Sequence, residues 1–118
     1  MAYDNNNIFA KILRGEIPCN KVYEDEFVLA FRDIQPQAPV HVLVIPKGAY
    51  TDHDDFDLRA TDEERLGFTK AIGIVAKQEE LKNGYRLISN CREDGGQEVP
   101  HYHVHILGGC KLGALLSA

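Results

Sequence analysis

The sequence predicts an α+β fold in which one long and one short helix pack against a largely antiparallel sheet. Three observations support this class. Strand-like segments follow one another closely with few helical crossovers, and helical periodicity is confined to two segments. The 118 residues, of which 44% are hydrophobic and 26% charged, suit one domain with its own core. Because no internal repeat or linker divides the chain, a single domain over residues 1–118 is expected.

Two segments have helical periodicity. A short amphipathic helix is predicted over residues 8–14, with Gly15 as its stop and an apolar stripe of Ile8, Phe9, Ile12 and Leu13. Thr61 and Glu64 form a capping box, so a long helix is predicted from there to about residue 81. Its buried stripe consists of Phe68, Ala71, Ile72 and Val75. Residues 51–60 carry four aspartates and are interpreted as a solvated loop or a turn of helix.

The strands are predicted from extended and alternating runs. Residues 22–24 and 27–33 lie on either side of an acidic turn, which predicts a β-hairpin. Residues 41–45 are apolar on both faces, so this strand should be central, and it ends at Pro46 because proline lacks a ladder donor. The remaining predicted strands are residues 85–90 and 101–107.

Alternation assigns side chains to the two faces of these strands. The second strand of the hairpin should carry one set on a single face, namely Phe27, Leu29, Phe31 and Asp33. In the central strand one face should hold His41, Leu43 and Ile45, and the other Val42 and Val44.

Composition excludes several classes of partner. The formal net charge of −5, from 13 basic and 18 acidic residues, argues against binding nucleic acid through a broad basic face. No stretch approaches about 18 consecutive apolar residues and the polar N-terminus lacks the order of a signal peptide, so we expect a cytoplasmic location and no membrane partner. An odd number of cysteines without a CxxC pair favours reduced thiols at Cys19, Cys91 and Cys110.

Three of the five histidines alternate within residues 101–107. In a strand, alternate side chains share a face, so His101, His103 and His105 should project together. The opposite positions, which are predicted to face the core, are Tyr102, Val104 and Ile106.

Three interpretations of this histidine row are open. Imidazole is a common metal ligand, but a regular strand spreads three alternate residues over roughly 13 Å, so at most two reach one ion. His41 is a possible further ligand, yet the sequence shows no HExxH, CxxC or facial carboxylate triad, and no metal is expected. The second interpretation is a set of hydrogen-bonded structural histidines. The third is catalysis by a nucleophilic imidazole, which neighbouring histidines help to keep unprotonated.

The segment before the row favours catalysis at phosphorus. Gly95 and Gly96 allow backbone N–H groups to approach a phosphate, and the Gln97 amide can donate to its oxygens. Donor imidazoles beside a nucleophile would stabilise charge on the non-bridging oxygens and protonate a leaving group. A Gly-Gly pair also occurs in ordinary turns, so its weight comes from its position shortly before His101.

A resemblance to the histidine triad (HIT) family is carried by GGQEVPHYHVHILGG, which is most similar to the Hint branch of nucleotide-binding phosphoramidases. Further similar segments are IFAKILRGEIP, VYEDEFVLAFRDIQPQAPVHVLVIPK and NGYRLISN, so the resemblance spans about residues 8–109. It implies a HIT-like fold and a homodimer whose sheets join, with two purine nucleotide sites. It also implies hydrolysis of nucleoside 5′-phosphoramidates, typically of adenosine, through a covalent nucleotidyl-histidine intermediate without a metal or other cofactor.

The resemblance also implies roles for individual residues. His103 matches the middle histidine of the signature and is the implied nucleophile. His105 is implied to orient the phosphate and the leaving group, and His101 to support the site. His41 matches a family histidine beside the triad, and Asp33 an acidic residue that accepts hydrogen bonds from the ribose hydroxyls.

Other matched positions surround the nucleotide. The apolar lining of the purine is implied to be Ile8, Phe9, Ile12, Phe31, Ile34 and Leu43, although core packing is the stronger explanation for each of these residues taken singly. Asn90 and Gln97 match polar residues near the ribose-phosphate, and Gly96 matches a backbone position beside the phosphate.

One position departs from the animal members of the family. Glu98 stands where animal Hint proteins have serine, and Glu-Val-Pro resembles the bacterial form of the motif. A carboxylate there either favours cationic amine leaving groups or faces solvent. The sequence also leaves two alternative functions open: a dinucleoside polyphosphate hydrolase, and a nucleotide-binding module that regulates a partner.

Overall fold

The computed structural model describes residues 2–116, and these form a five-stranded sheet with four helices. In chain order the elements are α1 (Ile8–Leu13), β1 (Lys21–Glu24), β2 (Val28–Arg32), β3 (Val40–Pro46), α2 (His53–Arg59), α3 (Asp62–Gln78), β4 (Tyr85–Ile88), α4 (Arg92–Gly95) and β5 (Val104–Gly108). The strand order is β1-β2-β3-β5-β4, and all four pairings are antiparallel. The predicted α+β class and the central position of β3 are confirmed.

The alternation of β3 separates two apolar clusters, as predicted. Val42 and Val44 face the main core, which is covered by α2 and α3. Leu43 and Ile45 face the opposite side, where Phe9 of α1 is buried against the sheet and a few other apolar residues, including Cys19 and Val99, are partly buried. Full burial of each such aliphatic side chain contributes about 1.5 to 3 kcal/mol. One sheet face is therefore closed by helices, and the other is left partly open near α1.

The capping box at the start of α3 is present as predicted. The Glu64 backbone N–H donates to Thr61 Oγ1 at 3.1 Å, and the Thr61 N–H donates to Glu64 Oε1 at 3.0 Å. The helix buries Phe68, Ala71 and Val75 against the sheet. It ends at Gln78, slightly before the predicted end.

The prediction of one long and one short helix is wrong in number. Within residues 51–60, Asp52 accepts a hydrogen bond from the Asp55 N–H and so caps α2, of which Phe56 is the only buried residue. One buried apolar residue is too few to produce a periodic signal. The single-turn α4 lies between the two last predicted strands, before the histidines, and its C-cap is Gly96, whose φ is +72°.

Several strand boundaries also differ from the prediction; β2 ends at Arg32, and β4 ends at Ile88 and not at residue 90. β5 begins at Val104, so His101 and His103 precede the strand. The reason is that the Tyr102 N–H donates to the Tyr50 carbonyl, which lies outside β3, at 2.7 Å. Phe27 precedes β2 and packs against the helix-covered core, not on the face of Leu29 and Phe31 as predicted. Tyr102, Val104 and Ile106 do face that core, as predicted.

None of the helices formed by residues 2–116 has both the length and the apolar character needed to cross a bilayer.

Candidate active site

The open face of the sheet gathers the four histidines singled out from the sequence. His41 lies on β3 and His105 on β5, with ring centroids 5.1 Å apart. His103 lies next to His105, also at 5.1 Å, and Phe9 packs edge-on against His103 at 5.0 Å. His41, His101 and His103 are buried, and His105 is half-buried. The predicted cluster forms even though only one of the three alternating histidines belongs to the strand.

Hydrogen bonds assign the tautomer of His103. Its Nδ1 lies 2.7 Å from the backbone carbonyl oxygen of His101. Because a carbonyl only accepts, Nδ1 carries the proton and Nε2 of neutral His103 has a free lone pair. Burial lowers the pKa of His103, and the nearby carboxylates Asp33 and Glu98 act in the opposite direction. The side chain therefore meets the two requirements for an imidazole nucleophile, neutrality and a fixed tautomer.

His41 and His105 form a second hydrogen-bonded unit. The Gln37 backbone N–H donates to His41 Nδ1 at 3.1 Å, so the His41 proton is on Nε2. His41 Nε2 donates to His105 Nδ1 at 2.9 Å and lies 3.4 Å from Asp33 Oδ2. His105 consequently carries its own proton on Nε2, where it can be donated to a bound group. Burial lowers the pKa of His41, and lowers that of His105 to about 4.

His101 is fully buried and uses both ring nitrogens. Its Nε2–H donates to the Pro46 carbonyl at the end of β3 at 2.9 Å, and its Nδ1 accepts from the Tyr3 hydroxyl. Burial lowers the pKa of His101 to about 4, so the ring is neutral at pH 7. Tyr3 could not be identified from the sequence, because no spacing pattern links it to a residue so far along the chain.

Most of the predicted purine lining gathers at this face. Phe9, Phe31 and Leu43 are buried in one cluster, and Ile12 packs against it partly buried. Ile34 is 88% exposed and is not part of that cluster. An apolar surface therefore adjoins the histidines, and the contact of Ile34 with a base stays a prediction.

The loop before the histidines is fixed by Gln97. Its amide nitrogen donates to the carbonyls of Thr51 and Val99 at 2.7 and 3.0 Å, and its Oε1 accepts from the Arg92 N–H at 2.8 Å. The backbone N–H groups of Gly96 and Gln97 donate to carbonyls of α4. The predicted contacts of these residues with a phosphate remain predictions, and each would have to replace a bond seen here. Asn90, after β4, is half-buried.

The structure brings together one set of possible metal ligands among residues 2–116. Ligand atoms of Asp33, His41 and His105 all lie within 4.8 Å of one another. This set of two histidines and one carboxylate could not be predicted from the sequence, because Asp33 reaches His41 only through the β2–β3 hairpin. In that hairpin the Asp33 N–H donates to the His41 carbonyl at 3.0 Å. These atoms are already joined by the hydrogen bonds just described, so an ion would have to displace the His41 Nε2 proton.

The buried imidazoles predict loss of stability in acid. A histidine in the unfolded chain has a pKa of about 6.5, whereas burial lowers the pKa of His101 and His105 to about 4. Between these values the unfolded chain binds more protons, so the free energy of unfolding falls as the pH falls from about 6.5 to about 4. The fully buried His101 alone accounts for a loss of about 2 to 3 kcal/mol. Urea denaturation across this range checks the prediction, and a flat profile would contradict it.

A family model, related sequences and solved structures all show this chain to be similar to HIT proteins. A family model described as HIT domain matches residues 14–112. A 13.2 kDa HIT-like protein of Azospirillum brasilense is 58% identical over 116 residues, covering 98% of this chain and 95% of that protein. A purine nucleoside phosphoramidase of Escherichia coli (strain K12) is 47% identical over 112 residues, covering 93% and 92%. A HIT family hydrolase structure from Clostridium thermocellum superposes with a TM-score of 0.87 at 40% identity, covering 96% of this chain and 99% of that one.

Proposed function

Because this chain belongs to the HIT domain family, we propose that it hydrolyses purine nucleoside 5′-phosphoramidates, such as adenosine 5′-phosphoramidate. The observation that carries the proposal is the His103 ring, whose Nδ1–H is held by the His101 carbonyl and whose Nε2 has a free lone pair. The relatives include a purine nucleoside phosphoramidase and a HIT family hydrolase.

In the first step, His103 Nε2 attacks the phosphorus and the P–N bond to the amine breaks. The leaving nitrogen takes one proton from solvent, and the nucleotide becomes bonded to Nε2. The ring gains positive charge, which its Nδ1–H shares with the His101 carbonyl and which the carboxylates of Asp33 and Glu98 favour. The proton on His105 Nε2 supplies a donor for a non-bridging phosphoryl oxygen.

In the second step, water attacks the phosphorus of the nucleotidyl-histidine. The bond between phosphorus and His103 Nε2 breaks, the nucleoside monophosphate leaves, and one proton is released to solvent. His103 returns to its neutral state, since burial lowers its pKa. In this proposal the Asp33 carboxylate accepts hydrogen bonds from the ribose hydroxyls, while Phe9, Phe31 and Leu43 contact the purine.

Intact-protein mass spectrometry tests this function directly. The protein is mixed with adenosine 5′-phosphoramidate, and both turnover and the mass of a trapped adenylyl adduct are recorded. Turnover with an adduct supports the proposal. A folded protein that binds AMP without turnover or adduct supports the regulatory module, and faster cleavage of a dinucleoside triphosphate supports the dinucleoside polyphosphate hydrolase.

Glu98 is predicted to select the leaving group. This exposed carboxylate lies close enough to the nucleophile to influence the pKa of His103. A cationic amine leaving group would be attracted to it, and an exposed charge pair is worth at most about 1 kcal/mol, or about fivefold in rate. In Glu98→Ser, the ratio of kcat/KM for lysine-derived over uncharged leaving groups should therefore fall up to about fivefold. The matched control is Glu93→Ser on α4; an unchanged ratio in Glu98→Ser excludes the selection.

The edge of the sheet supports a homodimer as part of the proposed function. β4 pairs only with β5 within the described chain, and its Tyr85 and Leu87 are 43% and 48% exposed. Such an edge offers unpaired backbone groups to a second copy. We expect sedimentation velocity to show a species of twice the chain mass, and Leu87→Lys to shift it towards the monomer; a monomeric wild type contradicts the proposal.

Composition supports a proposal about the compartment in which the protein acts and about its partner. The cysteines are free thiols, which suits a reducing compartment such as the cytoplasm. The net charge of −5 disfavours nucleic acid as a partner. A small purine nucleotide is therefore the partner we propose.

A further inference from the structure

The segment before α1 packs directly onto the histidine cluster. The Tyr3 hydroxyl lies 2.5 Å from His101 Nδ1, and the two rings meet edge-to-face with centroids 5.6 Å apart. Tyr3 is half-buried. Tyr3, which belongs to no motif of the sequence, therefore touches a histidine of the cluster.

A compact turn holds Tyr3 in this place. The backbone N–H and the side-chain amide of Asn7 donate to the Asp4 carbonyl at 3.2 and 2.7 Å. Arg14 Nη1 donates to the Asn5 carbonyl at 2.8 Å, which ties the turn to the end of α1. The Asn7 side chain is also the N-cap of α1, and it accepts from the Ala10 N–H at 2.9 Å. Turn and helix are thus one hydrogen-bonded unit.

That unit contacts the cluster through two residues. Tyr3 contacts His101 from the turn, and Phe9 contacts both His101 and His103 from the helix. His101 is held through Nδ1 by Tyr3 and through Nε2 by the Pro46 carbonyl, and its own carbonyl accepts from His103 Nδ1. The Tyr3 hydroxyl is therefore connected to the proposed nucleophile through a single residue.

We propose that Tyr3 is a positioning residue: by donating to His101 Nδ1, it fixes the residue whose carbonyl keeps His103 in the Nδ1–H tautomer. The rate consequence rests on the proposed function, since it concerns attack by His103 Nε2. The direction of donation is settled by chemistry, because His101 Nε2–H already donates to Pro46 and Nδ1 of the neutral ring only accepts. Without the hydroxyl, a buried acceptor would be left unpaired, and His101 would be held at one ring nitrogen instead of two.

The Tyr3→Phe variant tests the proposal because it keeps the ring packing and removes only the hydroxyl. We expect kcat for adenosine 5′-phosphoramidate to fall about 3- to 10-fold. KM should change less than about twofold, because Tyr3 acts through His101 and not on the nucleotide. The matched control is Tyr23→Phe, whose hydroxyl donates to Asp25 in the β1–β2 hairpin at 2.8 Å. 3-Fluorotyrosine at position 3 keeps the donor and should restore kcat.

A spectroscopic readout separates positioning from a loss of folding. Long-range ¹H–¹⁵N correlation spectra of the imidazoles report the tautomer and hydrogen bonding of each ring. In Tyr3→Phe, the Nδ1 signal of His101 should lose its hydrogen-bond shift and the Nδ1–H population of His103 should fall, while the His41–His105 pair is unchanged. Unchanged His101 and His103 signals overturn the proposal, and so do shifted signals with an unchanged kcat. If the wild type shows no turnover, the proposed function fails, and these spectra still decide whether Tyr3 positions the histidines.

Discussion

Replacing His103 by alanine should abolish the hydrolysis of adenosine 5′-phosphoramidate, with kcat lowered by about 10⁴-fold or more. The reason is that the His101 carbonyl holds the proton of His103 on Nδ1, so His103 Nε2 has a free lone pair. His105, whose ring lies next to that of His103, supplies a proton donor. The apolar surface around Phe9 and Leu43 is retained in the variant, so AMP should still bind. Steady-state turnover and calorimetric titration with AMP measure the two properties separately.

The covalent intermediate gives this prediction a second measurement. An adenylyl adduct should be trapped on the wild type and be absent from His103→Ala. The matched control is His53→Ala, because His53 is exposed on α2 and its ring contacts Tyr102, on the other side of the sheet. If His103→Ala retained both the adduct and turnover, the nucleophile would be a residue other than His103.

Much of the site could be predicted because it depends on strand periodicity. The alternation of β3 places His41 on one strand face with Leu43 and Ile45, and the alternation of β5 places His105 opposite Ile106. Side-chain direction in a strand has a period of two, so these assignments need no knowledge of the partner strands. Alternation also predicts that His103 lies on the same face as His105, and it does so even though β5 begins only at Val104.

The rest of the site depends on contacts between distant residues. The tautomer of His103 is set by a backbone carbonyl, and that of His41 by the Gln37 N–H, and no side-chain pattern reports either. Tyr3 and His101 are 98 residues apart in the chain. The helices α2 and α4 are too short to show periodicity, and their starts depend on local capping and on Gly96. Hydrogen-bond partners, unlike strand faces, are fixed only once the chain has folded.

The second large effect is expected at His105. In His105→Ala the donor for the phosphoryl oxygen is lost, and removal of one such donor lowers kcat by about 10²- to 10³-fold. His41→Ala should have a smaller effect, about 5- to 10-fold, the effect of one hydrogen bond. His41 acts on the reaction only through His105, by donating from Nε2 to His105 Nδ1 at 2.9 Å and so keeping the His105 proton on Nε2. Rates of both single variants and the double variant measure these effects.

The double variant tests the order in which the two histidines act. If His41 acts through His105, it has no further effect once His105 is alanine, so the double variant should be no slower than His105→Ala within about twofold. If instead both rings touched the phosphate independently, the two losses would multiply and the double variant would be about 5- to 10-fold slower than His105→Ala. The Asp33→Asn variant is the matched comparison, because Asp33 Oδ2 lies 3.4 Å from the same His41 Nε2. If Asp33→Asn changes KM more than kcat, Asp33 contacts the ribose. The hydrogen bond from His41 to His105 is then the interaction that keeps the His105 proton on Nε2.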